Sequence, residues 1–289
     1  MNISKSTYHF LSNISWVVKL KKQMDAGEFA LWRAKQIMRR WLRKNVCPSP
    51  LSHSYRFFIL CVKRTEYIDF AINQINSLHY YSPYHVFDIL CDDKCLKYFT
   101  SQRHKLDYPV NTRAISLVNN TKGIWQQYKI QTLLLAIQSD GILIDADMFW
   151  YSNPMIPQWQ ALFFAKAYLI KDLPVEKELV NTVFHHPEWS KFAHYTTGVV
   201  YLPYILFSGK LKKELLHFVS LQTKSSYSFL KSQEEKDNLR RLIDEMAINL
   251  AFQSVLKPEQ ITTLKGTDSP GDRNIVLSLY YGSMNKVNS

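Results

Sequence analysis

The sequence predicts an α/β fold, a mostly parallel sheet flanked by helices, with a basic helical extension ahead of it. Three observations carry this expectation. From Tyr55 onward, short apolar runs alternate with segments of helical spacing, the pattern of strand–helix–strand units that build a parallel sheet. The run Gly141-Ile142-Leu143-Ile144 ends in Asp145-Ala146-Asp147 and is closed by Asn153-Pro154. It reads as a buried strand that delivers two carboxylates to its C-terminal edge. Basic charge collects ahead of the linker Cys47-Pro48-Ser49-Pro50-Leu51-Ser52, which leaves residues 1–50 as a basic amphipathic extension and 51–289 as the main domain.

The first strand is Tyr55 to Val62, mostly aromatic and aliphatic. Lys63 to Glu66 makes the turn, with Thr65 as N-cap, and Tyr67 to Leu78 has helical spacing through Ile68, Ala71, Ile72 and Ile75. Pro83 precedes a second strand, His85 to Cys91. A helix near Cys95 to Gln102 and a weak strand near Thr112 to Val118 follow. Ile124 to Ile137 is a long helix carrying Lys129 as its one lysine, and it leads into the Asp145/Asp147 strand. Beyond Pro154, Ala161 to Tyr168 and Thr197 to Leu202 read as strands, and Lys171 to His186 as a loop or irregular lid. Ile205 to Leu230 reads as a helix, Ser232 to Arg241 as a solvated charged segment, Leu242 to Phe252 as a compact helix and Ile275 to Tyr281 as the closing strand.

Composition bounds the function. At 289 residues, with 46% hydrophobic and 14% aromatic residues, the chain can bury a large core, as one domain with appendages or as two small ones. Cys47, Cys61, Cys91 and Cys95 form no Cys-x-x-Cys pair, which favours packed thiols in a reducing compartment over disulfides or zinc. No stretch approaches the roughly 18 apolar residues of a membrane span, and Met1 to Leu20 lacks a secretory h-region. A cytoplasmic protein is expected.

The net charge of +12 is uneven. Lys19 to Lys44 holds nine Lys/Arg against Asp25 and Glu28, which is +7 of it. On a helical wheel Ala30, Leu31, Ala34, Ile37, Met38, Trp41 and Leu42 face one side and Arg33, Lys35, Arg39, Arg40, Arg43 and Lys44 the other. Such a helix can lie on an anionic membrane surface, or pack on the domain with its basic face solvated. The same charge attracts phosphates, but basic and aromatic residues are not interleaved in a recognisable motif, so no nucleic-acid partner is expected.

A bare Asp-x-Asp is more often a strand cap plus a solvated turn than a site. Asp145 and Asp147 are nonetheless suited to a hard divalent cation that also grips phosphate oxygens. Two later segments share the chain with them: Thr197-Gly198-Val199 opening a strand, and Asp244-Glu245-Met246-Ala247-Ile248-Asn249. In that order these motifs resemble the nucleotide-sugar glycosyltransferases of GT-A fold. They are most similar to the retaining family of glycogenin and the lipooligosaccharide galactosyltransferases. The resemblance covers Tyr55 to Tyr281 as an order of motifs rather than as close identity.

The resemblance implies a metal-dependent transferase moving a sugar from a nucleotide-sugar donor, UDP-linked by default, to a surface-polysaccharide or lipid-linked glycan. It implies that Asp145 contacts the donor and, with Asp147, holds Mn²⁺ or Mg²⁺. Thr65 and Tyr67 fall where the family holds base and ribose, Lys129 where it has a basic residue near the donor, and Asp244 and Glu245 where it has an Asp-Gln pair beside the reacting sugar. Each has a plainer reading: helix packing for Tyr67, a surface lysine for Lys129, helix capping for Asp244 and a dipole-favoured first-turn acid for Glu245.

The chain departs from the family at two places. Tyr280-Tyr281-Gly282-Ser283-Met284-Asn285-Lys286 has no histidine where a third metal ligand is usual, though Lys286 remains for the diphosphate. Glu245 stands for the usual glutamine. An inverting reaction would need a base, for which Asp172, Glu176 and Glu178 are placed in the lid-like stretch. His185, His186 and His194 read as loop or core residues. Two alternatives compete: an aspartyl-phosphate phosphatase of the haloacid dehalogenase-like type, against which Met148 after the second aspartate counts, and a non-enzymatic binder of anionic surfaces or nucleic acid acting through Lys19 to Lys44.

Overall fold

The computed structural model describes residues 54–117, 125–150, 154, 156–224, 233–264 and 277–279. All belong to the unit His53–Ser289, so the expected helix at 1–50 and Lys286 lie outside the described residues. The strands are β1 (Arg56–Cys61), β2 (Val86–Cys91), β3 (Thr112–Ser116), β4 (Ile142–Ile144), β5 (Met148–Trp150), β6 (Ala161–Leu169), β7 (Ala193–Tyr201), β8 (Ile261–Thr263) and β9 (Leu277–Leu279). The α-helices are α1 (Glu66–Tyr81), α2 (Asp93–Gln102), α3 (Trp125–Gln138), α4 (Pro174–Leu179), α5 (Gly209–Lys224) and α6 (Gln233–Gln253).

Seven strands form one sheet in the order β3-β2-β1-β4-β7-β6-β8. β1 to β4 are mutually parallel, and β7 alone runs against both of its neighbours, β4 and β6, while β8 pairs parallel with β6. This is the mostly parallel sheet flanked by helices that the sequence predicts. Alternation sends successive side chains to opposite faces. Phe57 and Ile59 pack on one face with Ile68, Ile72 and Ile75 of α1, while Phe58 packs on the other with Leu133 and Ile137 of α3 and Met246 and Leu250 of α6. At Gly141 a Cβ would meet the Phe58 ring at 2.5 Å, so only glycine lets β4 start this close to β1.

The chain leaves β1 toward β2 and β3 on one side, then returns to place β4 on the other. The strand order therefore reverses between β1 and β4, whose C-terminal ends lie side by side at Ile59↔Ile144. In open α/β sheets that switch point is where the crevice for a ligand forms.

Several expectations are corrected. The charged run expected at Ser232 to Arg241 is continuous with the helix expected from Leu242: from Gln233 it is the first half of α6. Its Glu, Lys and Arg carry helix propensity without apolar periodicity. The Ile205 helix begins later: Tyr204–Leu206 is a 3₁₀ turn and the helix starts at Gly209. Lys171 to His186 is more regular than a loop, with a 3₁₀ turn, α4 and a single π turn at Val180–Phe184. The last strand does not close the main sheet, since β9 pairs antiparallel with β5 in a separate two-stranded ribbon.

Candidate active site

The switch point gathers charges from five elements around one buried lysine. Lys129, on α3, is 7% exposed. Its ammonium lies 2.9 Å from Asp145 Oδ1 at the end of β4, 3.2 Å from Asp244 Oδ2 on α6 and 3.2 Å from Thr197 Oγ1 on β7. Its hydrogen bonds run to Asp145 Oδ2 at 3.3 Å and to Thr197 Oγ1, and the Asp244 contact is an ion pair. Burial alone would lower the Lys129 pKa, but Asp145 and Asp244 overcome it and hold the group firmly protonated. The plainer reading of a surface lysine is excluded.

Asp145 is anchored by its own backbone, whose N–H donates to Gly198 C=O at 2.8 Å. The strand is packed closely here: a Cβ at Gly198 would lie 3.0 Å from Met148 Cε and 3.8 Å from Asp145 Oδ2. The Asp145 side chain keeps 36% exposure, so it is the cluster's outlet to solvent. Asp147, two residues on, is pushed up to about 6, first by burial and then by the charge on Asp145. Asp145 and Asp147 repel each other, and Lys129, shared between Asp145 and Asp244, makes no ion pair with Asp147 among the described residues, so the pair is short of positive charge. Their hard oxygens are of the kind that suits Mn²⁺ or Mg²⁺. Among the described residues no group of three or more His, Cys, Asp or Glu could hold a metal, so no third protein ligand is found there.

Asp244 and Glu245 are not at a helix start. They sit in the middle of α6, so the capping and first-turn readings fall. β4 pairs only with Val199–Tyr201 of β7, and α6 takes over along the rest of that strand. Thr197 N–H donates to Glu245 Oε2 at 3.0 Å, Tyr195 N–H to Asn249 Oδ1 at 2.7 Å and Ala193 N–H to Gln253 Oε1 at 2.8 Å. Four helical residues rise about 6 Å and two strand residues about 6.6 Å, so side chains spaced by four match amides spaced by two. Asn249 and Gln253 return donors to the Tyr195 and Ala193 carbonyls, both at 2.6 Å.

Glu245 breaks that reciprocity because it has no donor to return. Its Oε1 instead accepts from His194 Nε2. The other ring nitrogen of His194 lies 3.3 Å from Glu176 Oε1 on α4, an ion-pair contact without hydrogen-bond alignment. Burial would lower His194, but Glu176 and Glu245 raise it to about 9. The imidazole is in the core, as expected, but it is charged there. Burial would raise Glu245, yet His194, Thr197 and Lys129 hold it below the usual carboxylate range. Asp244 goes the other way: burial pushes it up to about 6 against the pull of Lys129, and its Oδ1 has no hydrogen-bond partner.

Thr65 occupies the N-cap position of α1 but makes no side-chain cap bond. Tyr67 is half-buried, edge-on to Phe70 at 6.3 Å, with its carbonyl accepting from Cys61 Sγ at 3.4 Å, which is the packing arrangement. Lys63, in the turn after β1, has a φ of 71°, unusual for a residue with a Cβ. Asp92 holds that turn by accepting the Lys63 N–H at 2.6 Å, beside the C-terminal end of β1. Of the proposed bases, Glu176 is already committed to His194 and Glu178 accepts from Thr182 at 3.1 Å.

No family model matches the chain, and no curated protein matches it in sequence. Among solved structures it is similar to the apo form of the bifunctional glycosyltransferase WbbM, at 11% identity and TM-score 0.47, over 75% of this chain and 40% of that one. It is similar to apo glycosyltransferase GlyE of Streptococcus pneumoniae TIGR4, at 10% identity and TM-score 0.44, over 75% and 46%. It is also similar to the galactosyltransferase LgtC in complex with donor and acceptor sugar analogs, at 10% and 0.47, over 79% and 87%. The chain thus spans less than half the length of the first two. Identities and scores this low leave the functional reading to the residues of the site.

Proposed function

We propose that the chain is a glycosyltransferase that moves a sugar from a nucleotide-sugar donor, UDP-linked by default, to a glycan or lipid-linked acceptor. The observation that carries this reading is the pair Asp145/Asp147 at the switch point, backed by a buried lysine that ties Asp145 to Asp244.

In this reading Asp145 and Asp147 hold Mn²⁺ or Mg²⁺, which when bound offsets the charge on the departing nucleoside diphosphate. Lys129 fixes the Asp145 carboxylate in one orientation, and Thr197 and Asp244 fix Lys129. Glu245, kept ionised and immobile by His194 and Thr197, supplies standing negative charge where positive charge develops on the sugar as the diphosphate leaves. Both of its oxygens already accept hydrogen bonds, which favours that electrostatic role over covalent attack.

The deciding experiment is calorimetric titration of UDP, with and without Mn²⁺, into the wild type and Asp145→Asn/Asp147→Asn. Metal-dependent binding that the double variant loses is expected. Saturable binding indifferent to metal and to both aspartates would discard the metal site. Failure of UDP, GDP and CMP alike on folded protein would discard the transferase reading.

We also propose that the enzyme works in the cytoplasm, peripheral to the inner membrane face, where the basic segment Lys19 to Lys44 meets anionic lipid. Among the described residues no helix is long and apolar enough to cross a membrane. Changing Arg39, Arg40, Arg43 and Lys44 to Glu is expected to abolish sedimentation with phosphatidylserine vesicles at physiological salt. Undiminished sedimentation would remove the surface role.

A further inference from the structure

The sheet has a second built feature at its opposite edge. β1, β2 and β3 run parallel and begin with Arg56, Val86 and Thr112. That N-terminal edge lies about 17 Å from the C-terminal one, five strand steps away. Asp88, on β2, is wholly buried. Arg56 Nε donates to its Oδ2 at 2.7 Å, while Arg113 on β3 donates Nε to Oδ1 and Nη2 to Oδ2, the latter at 3.2 Å.

A buried carboxylate needs a cation and hydrogen bonds. One arginine, bidentate, would supply both. Here there are two, and the triad keeps a net positive charge. A guanidinium carries five N–H groups. Three of the ten point to Asp88, and neither Nη of Arg56 nor Nη1 of Arg113 has a hydrogen-bond partner among the described residues, though the Arg56 guanidinium also lies over the Phe58 ring, 5.2 Å from its centroid. The two side chains stay 36% and 59% exposed. Both line a cleft of about 450 Å³ together with Tyr55, Val86, Val110 and Thr112. Thr112 is 1% exposed, and its hydroxyl has no hydrogen-bond partner among the described residues. A buried hydroxyl left unmade is an expense that folding normally avoids. Bracing three strands accounts for Asp88 and both arginines. It does not account for the spare donors or the orphaned hydroxyl.

We propose that this cleft is a binding site for a small molecule bearing an oxyanion, phosphate or carboxylate, on a compact body with an apolar face. The free guanidinium N–H groups of Arg56 and Arg113 grip the oxyanion, the Thr112 hydroxyl adds a hydrogen bond, and Tyr55, Val86 and Val110 form the wall for the body. Asp88 pre-orients both guanidinium groups, so less side-chain freedom is lost on binding. The cleft is of the size that small ligands fill. It is separate from the Asp145 site and stands whether or not that site transfers sugars.

The test titrates phenyl phosphate, benzoate and uncharged phenol into the full chain, read by calorimetry at low salt. One-site binding of at least one anion is expected, with phenol at least tenfold weaker. Binding of phenyl phosphate alone or of benzoate alone assigns the anion. Arg113→Gln is expected to weaken the anion at least tenfold. Thr112→Val, which keeps the side chain's size and removes only the orphaned hydroxyl, is expected to weaken it about threefold or more without lowering Tm. Asp145→Asn/Asp147→Asn should leave it unchanged. No saturable binding of either anion, affinity unchanged in both cleft variants, or loss of binding in the aspartate variant would each overturn the assignment.

Discussion

Lys129→Met is expected to cost about 3–5 kcal/mol of stability at pH 7, the usual penalty for removing one partner of a buried ion pair. The loss is large because the lysine serves two carboxylates, and Asp244 would be left buried without its cation. The deficit should depend on pH. In the wild type Asp147 and Asp244 are held near 6, against about 3.9 in an unfolded chain. Between those values the folded chain binds more protons than the unfolded one, so stability falls as pH rises through that window. Removing Lys129 withdraws the group that restrains Asp244, which carries the window upward. Urea denaturation at pH 7 and pH 5 should therefore show the variant recovering part of its deficit at the lower pH. A deficit under about 1 kcal/mol at pH 7, as for exposed pairs, or one equal at both pH values, would show that the lysine does not hold the cluster together.

The frame of the site was legible because it rests on local pattern. Phe57 to Cys61 and Ile142 to Ile144 are unbroken apolar runs and Phe87 to Cys91 is broken only by Asp88, the pattern of strands buried on both faces. Asp145 could be placed at a strand end from chain order alone. What joined Asp145 to its neighbours was not legible. Lys129 meets Thr197 across 68 positions and His194 meets Glu245 across 51, and no propensity or period encodes such pairs. Short elements were missed for a different reason. β8 is three residues, too few for alternation to register, and its place at the sheet edge comes from pairing with β6.

One signal was present and unused. Glu245, Asn249 and Gln253 form a polar stripe at four-residue spacing on a helix whose other residues there are core, among them Met246, Ala247, Leu250 and Phe252. Polar residues at i, i+4, i+8 inside an apolar helix have to meet donors or acceptors, because burial otherwise penalises them. The unpaired amides along β7 are what they meet. That stripe explains why a carboxylate at 245 is tolerated: the site is polar by necessity, and His194 donates to the oxygen that stands where an amide side chain would carry its own donor.

His194→Gln is the variant that separates this charge from mere packing. The groups facing the imidazole are Glu176 from α4 and Glu245 from α6, with Lys129 beyond Glu245. The two glutamates raise its pKa from 6.5 to about 9. A histidine raised on folding contributes stability that is complete below its unfolded pKa and is lost as pH climbs through the folded one. At 1.36 kcal/mol per unit the contribution is about 3 kcal/mol. Wild type should therefore lose about that much relative to His194→Gln between pH 6.5 and pH 9.5, and the two denaturation midpoints should converge at the alkaline end. Glutamine matches the reach of the ring and can still donate to Glu245, but it carries no charge. Stability curves that run parallel across this range would mean that the imidazole is neutral and serves as packing. Convergence would mean that α4 and α6 are joined through an imidazolium, and that Glu245 owes its ionised state to it.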